Sequence, residues 1–340
     1  MNNLVINVCP GTLKEGFTSY SLACLKKVFN GRSVSHILPY QSPDKDGIDK
    51  ERFFENRRRL SISGVQEKIT LYLDKNKFRL PEENEVGQYI LKPAPRDLSY
   101  VDQVPANEHL TMQIAEQIFK INTAPNALIF FNDNTPAYIT KRFDIKDDDT
   151  KRRQDDFASL AQKTEENAGV DYKYEYSYFE LAELLKRYVP AYIPQLERLY
   201  SLILFNYLFS NGDAHLKNFS LLETDSGDFL LSPAYDLVCT RIHVDDGDMG
   251  LKNGLFDKDF DHPSFATYGF YAYDDLFDFG IKIGIKEKRV KNQLDIYLSS
   301  RDSVVSMIKR SFLNDECKKK YEELYIGKLH RFTLSQSSRI

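Results

Sequence analysis

The 340-residue chain is 42% hydrophobic, enough for two lobes with cores of their own, and its 46 Lys and Arg against 50 Asp and Glu leave a net charge of −4. That balance gives no support for a polyanion partner, so no direct nucleic-acid binding is expected. Cys9, Cys24, Cys239 and Cys317 lack metal-ligand spacing and suit a reducing compartment. The N-terminus has no basic n-region and no apolar run nears the roughly 20 residues of a bilayer span, so a cytoplasmic protein without a membrane anchor is expected.

Residues 1–145 alternate short apolar runs with turns. Ile69–Leu73 and Tyr89–Lys92 read as strands, and Ala127–Phe131 with Ala137–Thr140 reads as a pair around the turn Asn132-Asp133-Asn134. One helix interrupts them. It runs from about Asn107, downstream of Pro105, with Leu110, Ile114 and Ile118 at four-residue spacing, which predicts an amphipathic helix on the sheet. Asp147–Arg153 reads as an exposed loop. Residues 146–340 then turn helical, with Phe179–Tyr188 and Leu196–Ser210 separated by Pro190 and Pro194, and a mostly helical tail over Asp274–His330. The charged stretches Lys286–Lys291 and Asp315–Glu323 in that tail read as solvated faces.

The second long helix runs straight into Asn211-Gly212-Asp213-Ala214-His215-Leu216-Lys217-Asn218, and Tyr235-Asp236 follows. An Asp five positions before an Asn, then a later Asp, is how phosphoryl-transfer enzymes place a base and two metal ligands on short loops. Phe219–Leu222 and Phe229–Ser232, joined by Thr224-Asp225-Ser226-Gly227, predict a hairpin that returns Asp236 to Asn218. Asp213 would orient or deprotonate an acceptor hydroxyl, while Asn218 and Asp236 would offer the oxygen ligands Mg²⁺ prefers. Singly, each could be a turn cap or a surface carboxylate. Jointly, their spacing favours catalysis. Lys92, at the end of a short strand, is placed to reach ATP phosphates, with Glu108 on the following helix as its partner. Ser61-Ile62-Ser63-Gly64-Val65-Gln66-Glu67-Lys68 could cover those phosphates with its backbone N–H groups, although it has one glycine where protein kinases have three. Phosphorylation of Ser61 or Ser63 would add roughly 1.5 to 2 negative charges where the phosphates must sit, a built-in brake.

These segments, together with Ile90-Leu91-Lys92, Asn107-Glu108, Lys141-Arg142-Phe143-Asp144, Asp155-Asp156-Phe157 and Pro233-Ala234-Tyr235-Asp236, resemble the HipA family of Ser/Thr kinase toxins, nearest to its short form, HipT. The resemblance implies an α+β, bilobal protein-kinase-like fold with a small β-rich N-lobe over 1–145 and a larger helical C-lobe over 146–340. It implies Asp213 as catalytic base, Asn218 and Asp236 as metal ligands, and Ser63, Gly64, Val65, Gln66, Glu67 and Lys68 as the phosphate loop. Lys92 would contact phosphate, and His215, Lys217 and Tyr235 would line the nucleotide site. Lys141, Arg142 and Phe143 would form the adenine-reading hinge with Asp144 near the ribose, and Ser61 and Ser63 would be autophosphorylation sites.

Long HipA proteins have Glu at the position of Lys141, and His215 stands where most protein kinases have Lys, which agrees with HipA. The stretch ahead of Ser61 is short for a long HipA, so a separate small antitoxin resembling the missing N-terminal subdomain is expected, with a helix-turn-helix DNA-binding partner. The resemblance further implies ATP and Mg²⁺ as cofactors and an aminoacyl-tRNA synthetase serine as acceptor, tryptophanyl-tRNA synthetase first. The alternatives are a non-catalytic ATP-binding module, disfavoured because Asp213, Asn218, Asp236 and Lys92 are all kept, and a lipid or small-molecule kinase.

Overall fold

Ile69, Leu71 and Leu73 are buried at every second position of β1 (Ile69–Asp74), the alternation that lets a strand cover a core. With β2 (Lys77–Arg79), β3 (Tyr89–Pro93), β4 (Asn126–Phe130) and β5 (Pro136–Lys141) it forms an antiparallel sheet in the order β2-β1-β3-β5-β4. Residues 4–43, 68–95, 98–146, 148–256 and 258–337 are described in this computed structural model. The expected phosphate loop from Ser61 to Glu67, and with it both loop serines, lies outside them.

One face of the sheet, through Leu71, Tyr89, Leu91, Ala127, Ile129, Ala137 and Ile139, packs with Cys24, Val28 and Phe29 of the helix Leu22–Phe29. That helix is an addition to the sequence reading. Its signals are present: Ser21 caps it, accepting the Cys24 N–H at 3.2 Å, and Asn30 ends it in the left-handed region at φ 54°. Lys92 alternates with Leu91 and so leaves this core for the opposite face.

The helix expected from Asn107 starts earlier, as Val104–Gln117, and is not amphipathic: every residue from Val104 to Ala115 is buried. Partners make this tolerable for its polar side chains. Glu108 meets Lys92, Thr111 donates to the Asn107 carbonyl at 2.9 Å, Gln113 donates to Asn126 Oδ1 at 3.0 Å, and His109 Nε2 lies 3.4 Å from the Gly11 carbonyl.

The helices Tyr178–Tyr188 and Tyr192–Leu208 follow. Pro194, expected between them, sits in the first turn of the second, where a missing N–H costs nothing. The predicted hairpin forms as β7 (Ser220–Glu223) and β8 (Phe229–Leu231), extended by β6 (Gln154–Asp156) into the sheet β6-β7-β8. The tail is helical over Tyr273–Lys282, Glu287–Ser299, Arg301–Arg310 and Asp315–Arg331. Exposed pairs such as Lys291–Glu287 (3.0 Å) and Lys319–Glu323 (3.8 Å) mark its charged faces as solvated. The chain divides into two units, Met1–Gln113, Ala124–Lys151 and Ser306–Lys318 in one, Ile114–Thr123, Arg152–Val305 and Lys319–Ile340 in the other. Among the described residues no helix is long and apolar enough to cross a membrane.

Candidate active site

In the second unit, the helix Tyr192–Leu208 ends by turning sharply: Ser210 takes φ 51°, and Asn211 folds back so that its N–H reaches the Asn206 carbonyl and its Nδ2 reaches Asn206 Oδ1, both at 2.9 Å. Asp213 therefore emerges on a fixed loop. A short 3₁₀ turn, Leu216–Asn218, follows, in which the His215 N–H donates to Asn218 Oδ1 at 3.3 Å and the Asn218 N–H donates to the His215 carbonyl at 2.9 Å. The hairpin then returns the chain. The Tyr235 hydroxyl donates to the Lys217 carbonyl at 2.9 Å and lies 3.1 Å from Ser220 Oγ, so the residue before Asp236 is tied on both sides of Asn218. Asp236 itself holds φ 56°, a left-handed conformation rare for a residue with a side chain and concentrated at functional sites.

The electrostatics of the loop turn on burial. His215 Nε2 lies 3.8 Å from Asp213 Oδ1, but burial pushes the imidazole down to about 4, so the pair meets as a neutral ring beside a carboxylate. Its Nδ1 has no hydrogen-bond partner among the described residues. Asp213 remains open, with 54% of its side chain exposed, so an incoming hydroxyl could reach it. Lys217 directs its Nζ to the Tyr172 hydroxyl at 3.3 Å.

A loop that the sequence reading did not single out backs this one. Thr240 Oγ1 accepts the Gly212 N–H at 2.9 Å and shares its proton between the Ser210 carbonyl at 3.0 Å and Asp246 Oδ2. Burial raises the Asp246 carboxyl above its usual range. A Cβ on Gly250 would lie 2.5 to 2.6 Å from the backbone of Ala214, so only glycine permits this approach. Asp248 takes Lys328 Nζ at 2.6 Å and an Arg331 guanidinium from the last helix, holding the loop from behind.

In the first unit, Lys92 Nζ meets Glu108 Oε1 at 2.6 Å with side chains 4% and 3% exposed, the strand-to-helix pair expected from the sequence. The expected hinge is partly engaged in the sheet: the Lys141 N–H donates to the Pro125 carbonyl (2.8 Å) and the Arg142 N–H to the Gln88 carbonyl (2.9 Å). Lys141 Nζ reaches Asn30 Oδ1 at 2.7 Å. Arg142 grips Asp144 through Nε at 3.0 Å and Nη2 at 2.5 Å, so a ribose contact by Asp144 would share its carboxylate with that guanidinium. Lys68 directly precedes β1, next to the undescribed loop.

No group of three or more His, Cys, Asp or Glu able to hold a metal occurs among the described residues. Asn218 and Asp236, the residues expected to hold Mg²⁺, would offer two hard oxygen donors, and Asn218 Oδ1 already accepts the His215 N–H at 3.3 Å. Sequence reasoning missed Thr240, Asp246, Gly250 and the tyrosines Tyr172 and Tyr174. The repeat Tyr172-Lys173-Tyr174-Glu175-Tyr176 is the visible signal for the two tyrosines.

A family model described as the HipA-like C-terminal domain matches residues 60–300. A Haemophilus influenzae protein that carries the name "Putative kinase" is 25% identical over 330 residues, covering 92% of each chain. The serine/threonine-protein kinase toxin HipA of Shewanella oneidensis is 28% identical over 240 residues, 65% of this chain and 52% of that protein. In the solved complex of Shewanella oneidensis MR-1 HipA, HipB and operator DNA, a chain matches at TM-score 0.63 and 22% identity, covering 87% of this chain and 74% of its own, which shows the same α+β kinase-like fold. With about two thirds of its length matched by one family model, the chain belongs to the HipA-like C-terminal domain family.

Proposed function

We propose that the chain is an ATP- and Mg²⁺-dependent serine/threonine protein kinase that acts as a cytoplasmic toxin. The observation that carries this reading is the catalytic loop, in which Asp213 is exposed while Asn218 and the left-handed Asp236 are braced through Tyr235. Asp213 accepts the proton of an acceptor serine. Asn218 and Asp236 hold the metal, Lys92 steadies phosphate oxygens from its pairing with Glu108, and Lys217 lies on the same loop as the base. Bound Mg²⁺·ATP supplies the phosphoryl group and neutralises its charge.

The acceptor is a serine in the ATP-binding loop of an aminoacyl-tRNA synthetase, the tryptophanyl enzyme being the first to test. Its modification stops tRNA charging and growth. Ser61 and Ser63 are self-modified, Ser63 to Lys68 cover the phosphates, and Lys141 to Asp144 read the adenosine. The Shewanella HipA structure is a complex with HipB and operator DNA. By analogy, a small antitoxin and a helix-turn-helix protein accompany this chain. The test is phosphoproteomics after induced expression, comparing the intact chain with Asp213→Gln and Asp236→Asn. A synthetase phosphosite seen only with the intact chain is the expected result, and identical phosphoproteomes would sink the reading.

A further inference from the structure

Tyr174 donates its hydroxyl to Asp213 Oδ1 at 2.6 Å, and its ring stands edge-on to His215 at 5.2 Å between centroids. The segment around it is anchored to both loops of the site. The Lys173 carbonyl accepts the Leu216 N–H at 3.0 Å, the Tyr174 carbonyl accepts the Lys252 N–H at 2.9 Å, and Lys252 Nζ reaches Asp171 and Glu175 at 2.8 and 2.7 Å. Tyr178 adds a hydroxyl on the Ala214 carbonyl at 3.0 Å, and the Tyr172 hydroxyl receives Lys217.

From these contacts the geometry points to Tyr174 as a positioning residue for the catalytic base: its phenol fixes the rotamer of Asp213 by binding one carboxylate oxygen and so aims the other at the acceptor hydroxyl. This rests on the kinase reading above. The rival role for a phenol at this place is occlusion, in which Tyr174 fills the acceptor's position and must leave. Two observations decide against it. Asp213 keeps more than half of its side chain open to solvent with Tyr174 in place. Backbone bonds to the Lys173 and Tyr174 carbonyls fix the main chain here, so the phenol could leave only by giving up its contacts with both Asp213 and His215. A carboxylate free to rotate about χ1 and χ2 would present its basic lone pair in the productive direction only part of the time, and catalysis depends on that direction.

The test uses the purified full chain with Mg²⁺·ATP, measuring self-phosphorylation and ATP hydrolysis. Tyr174→Phe removes the hydroxyl and keeps the ring on His215. Its kcat should fall on the order of tenfold, part of the 10²–10⁴-fold that a positioned base contributes, with KM for ATP unchanged and melting within a few degrees of wild type. Tyr176→Phe, in the same segment, should turn over at the wild-type rate. An unchanged kcat in Tyr174→Phe overturns the role, and an increased kcat overturns it in favour of occlusion. An equal loss in Tyr176→Phe also overturns it, by showing that the segment matters and the Asp213 contact does not. A wild-type chain inactive in both assays removes the kinase reading and the inference with it, whereas an active wild type with an unaffected Tyr174→Phe removes the inference alone.

Discussion

Gly250 approaches Ala214 so closely that a Cβ on it would fall 2.5 Å from the Ala214 carbonyl carbon, which makes one loop's backbone the floor of the other. Gly250→Ala should therefore push the 213–218 loop, at a cost of about 1–3 kcal/mol for overpacking, and should lower kcat further than the stability loss accounts for. Gly247→Ala is the matched control, since the nearest atom to its Cβ would be the Met249 carbonyl oxygen at 3.4 Å, ordinary contact. Urea unfolding and ATP turnover on both variants check this. Equal effects at the two glycines would refute the close-approach argument.

The Lys92–Glu108 pair is dry on both sides. Glu108→Gln removes the counter-charge of a buried ammonium and should cost about 3–5 kcal/mol, whereas the double change Lys92→Met with Glu108→Leu should restore most of that stability and still leave phosphoryl transfer dead. Chemical denaturation beside a radiolabelled ATP assay separates the two outcomes. A double variant as unstable as the single one would show that packing around the pair, and not charge, sets the cost.

Asp236 combines a proposed chemical role with an unusual backbone. Asn tolerates the left-handed region nearly as well as Asp, so Asp236→Asn should melt with wild type while losing activity. Asp236→Val should in addition lose about 1–2 kcal/mol, because a branched Cβ fits that region poorly. Thermal melts of the two variants, compared side by side, provide the check.

Burial pushes both His109 and His215 down to about 4 from an ordinary value near 6.5. The unfolded chain therefore binds protons below about pH 6.5 that the folded chain refuses until about pH 4, so this contribution to stability is intact above pH 6.5 and is lost as pH falls toward 4. Unfolding midpoints in urea should drop across that window, and His109→Gln should flatten the drop. An unchanged slope in that variant would mean that His109 does not supply it.

The parts of this molecule that could be read from its sequence are those where residue type and spacing are themselves the chemistry. Asp213, Asn218 and Asp236 stand out because their order and spacing are those that phosphoryl transfer would ask for, and Thr224 to Gly227 announces its hairpin by composition. β6 could not be read, because Gln154-Asp155-Asp156 is polar and joins β7 through backbone bonds that no side-chain pattern encodes. The helix Val104–Gln117 misled for a related reason. Its polar residues look like a solvent face until their partners, Lys92, Gly11 and Asn126, are seen in space. Tyr174 meets Asp213 across 39 residues, and Gly250 meets Ala214 across a similar gap, contacts that only folding creates.

The Asn211 side chain, turned back on its own helix, also reaches forward: its Nδ2 lies 3.4 Å from the Asp236 carbonyl oxygen, 25 residues on. One amide thus clasps the two ends of the segment that contains the base and both proposed metal ligands. The far turn of the hairpin between them can change without altering the spacing of those groups, because the clasp and the Tyr235 contacts to Lys217 and Ser220 set it at the near end. Substitutions in the turn Thr224 to Gly227 should then leave catalysis untouched, whereas Ser220, which meets Tyr235, is not free to change.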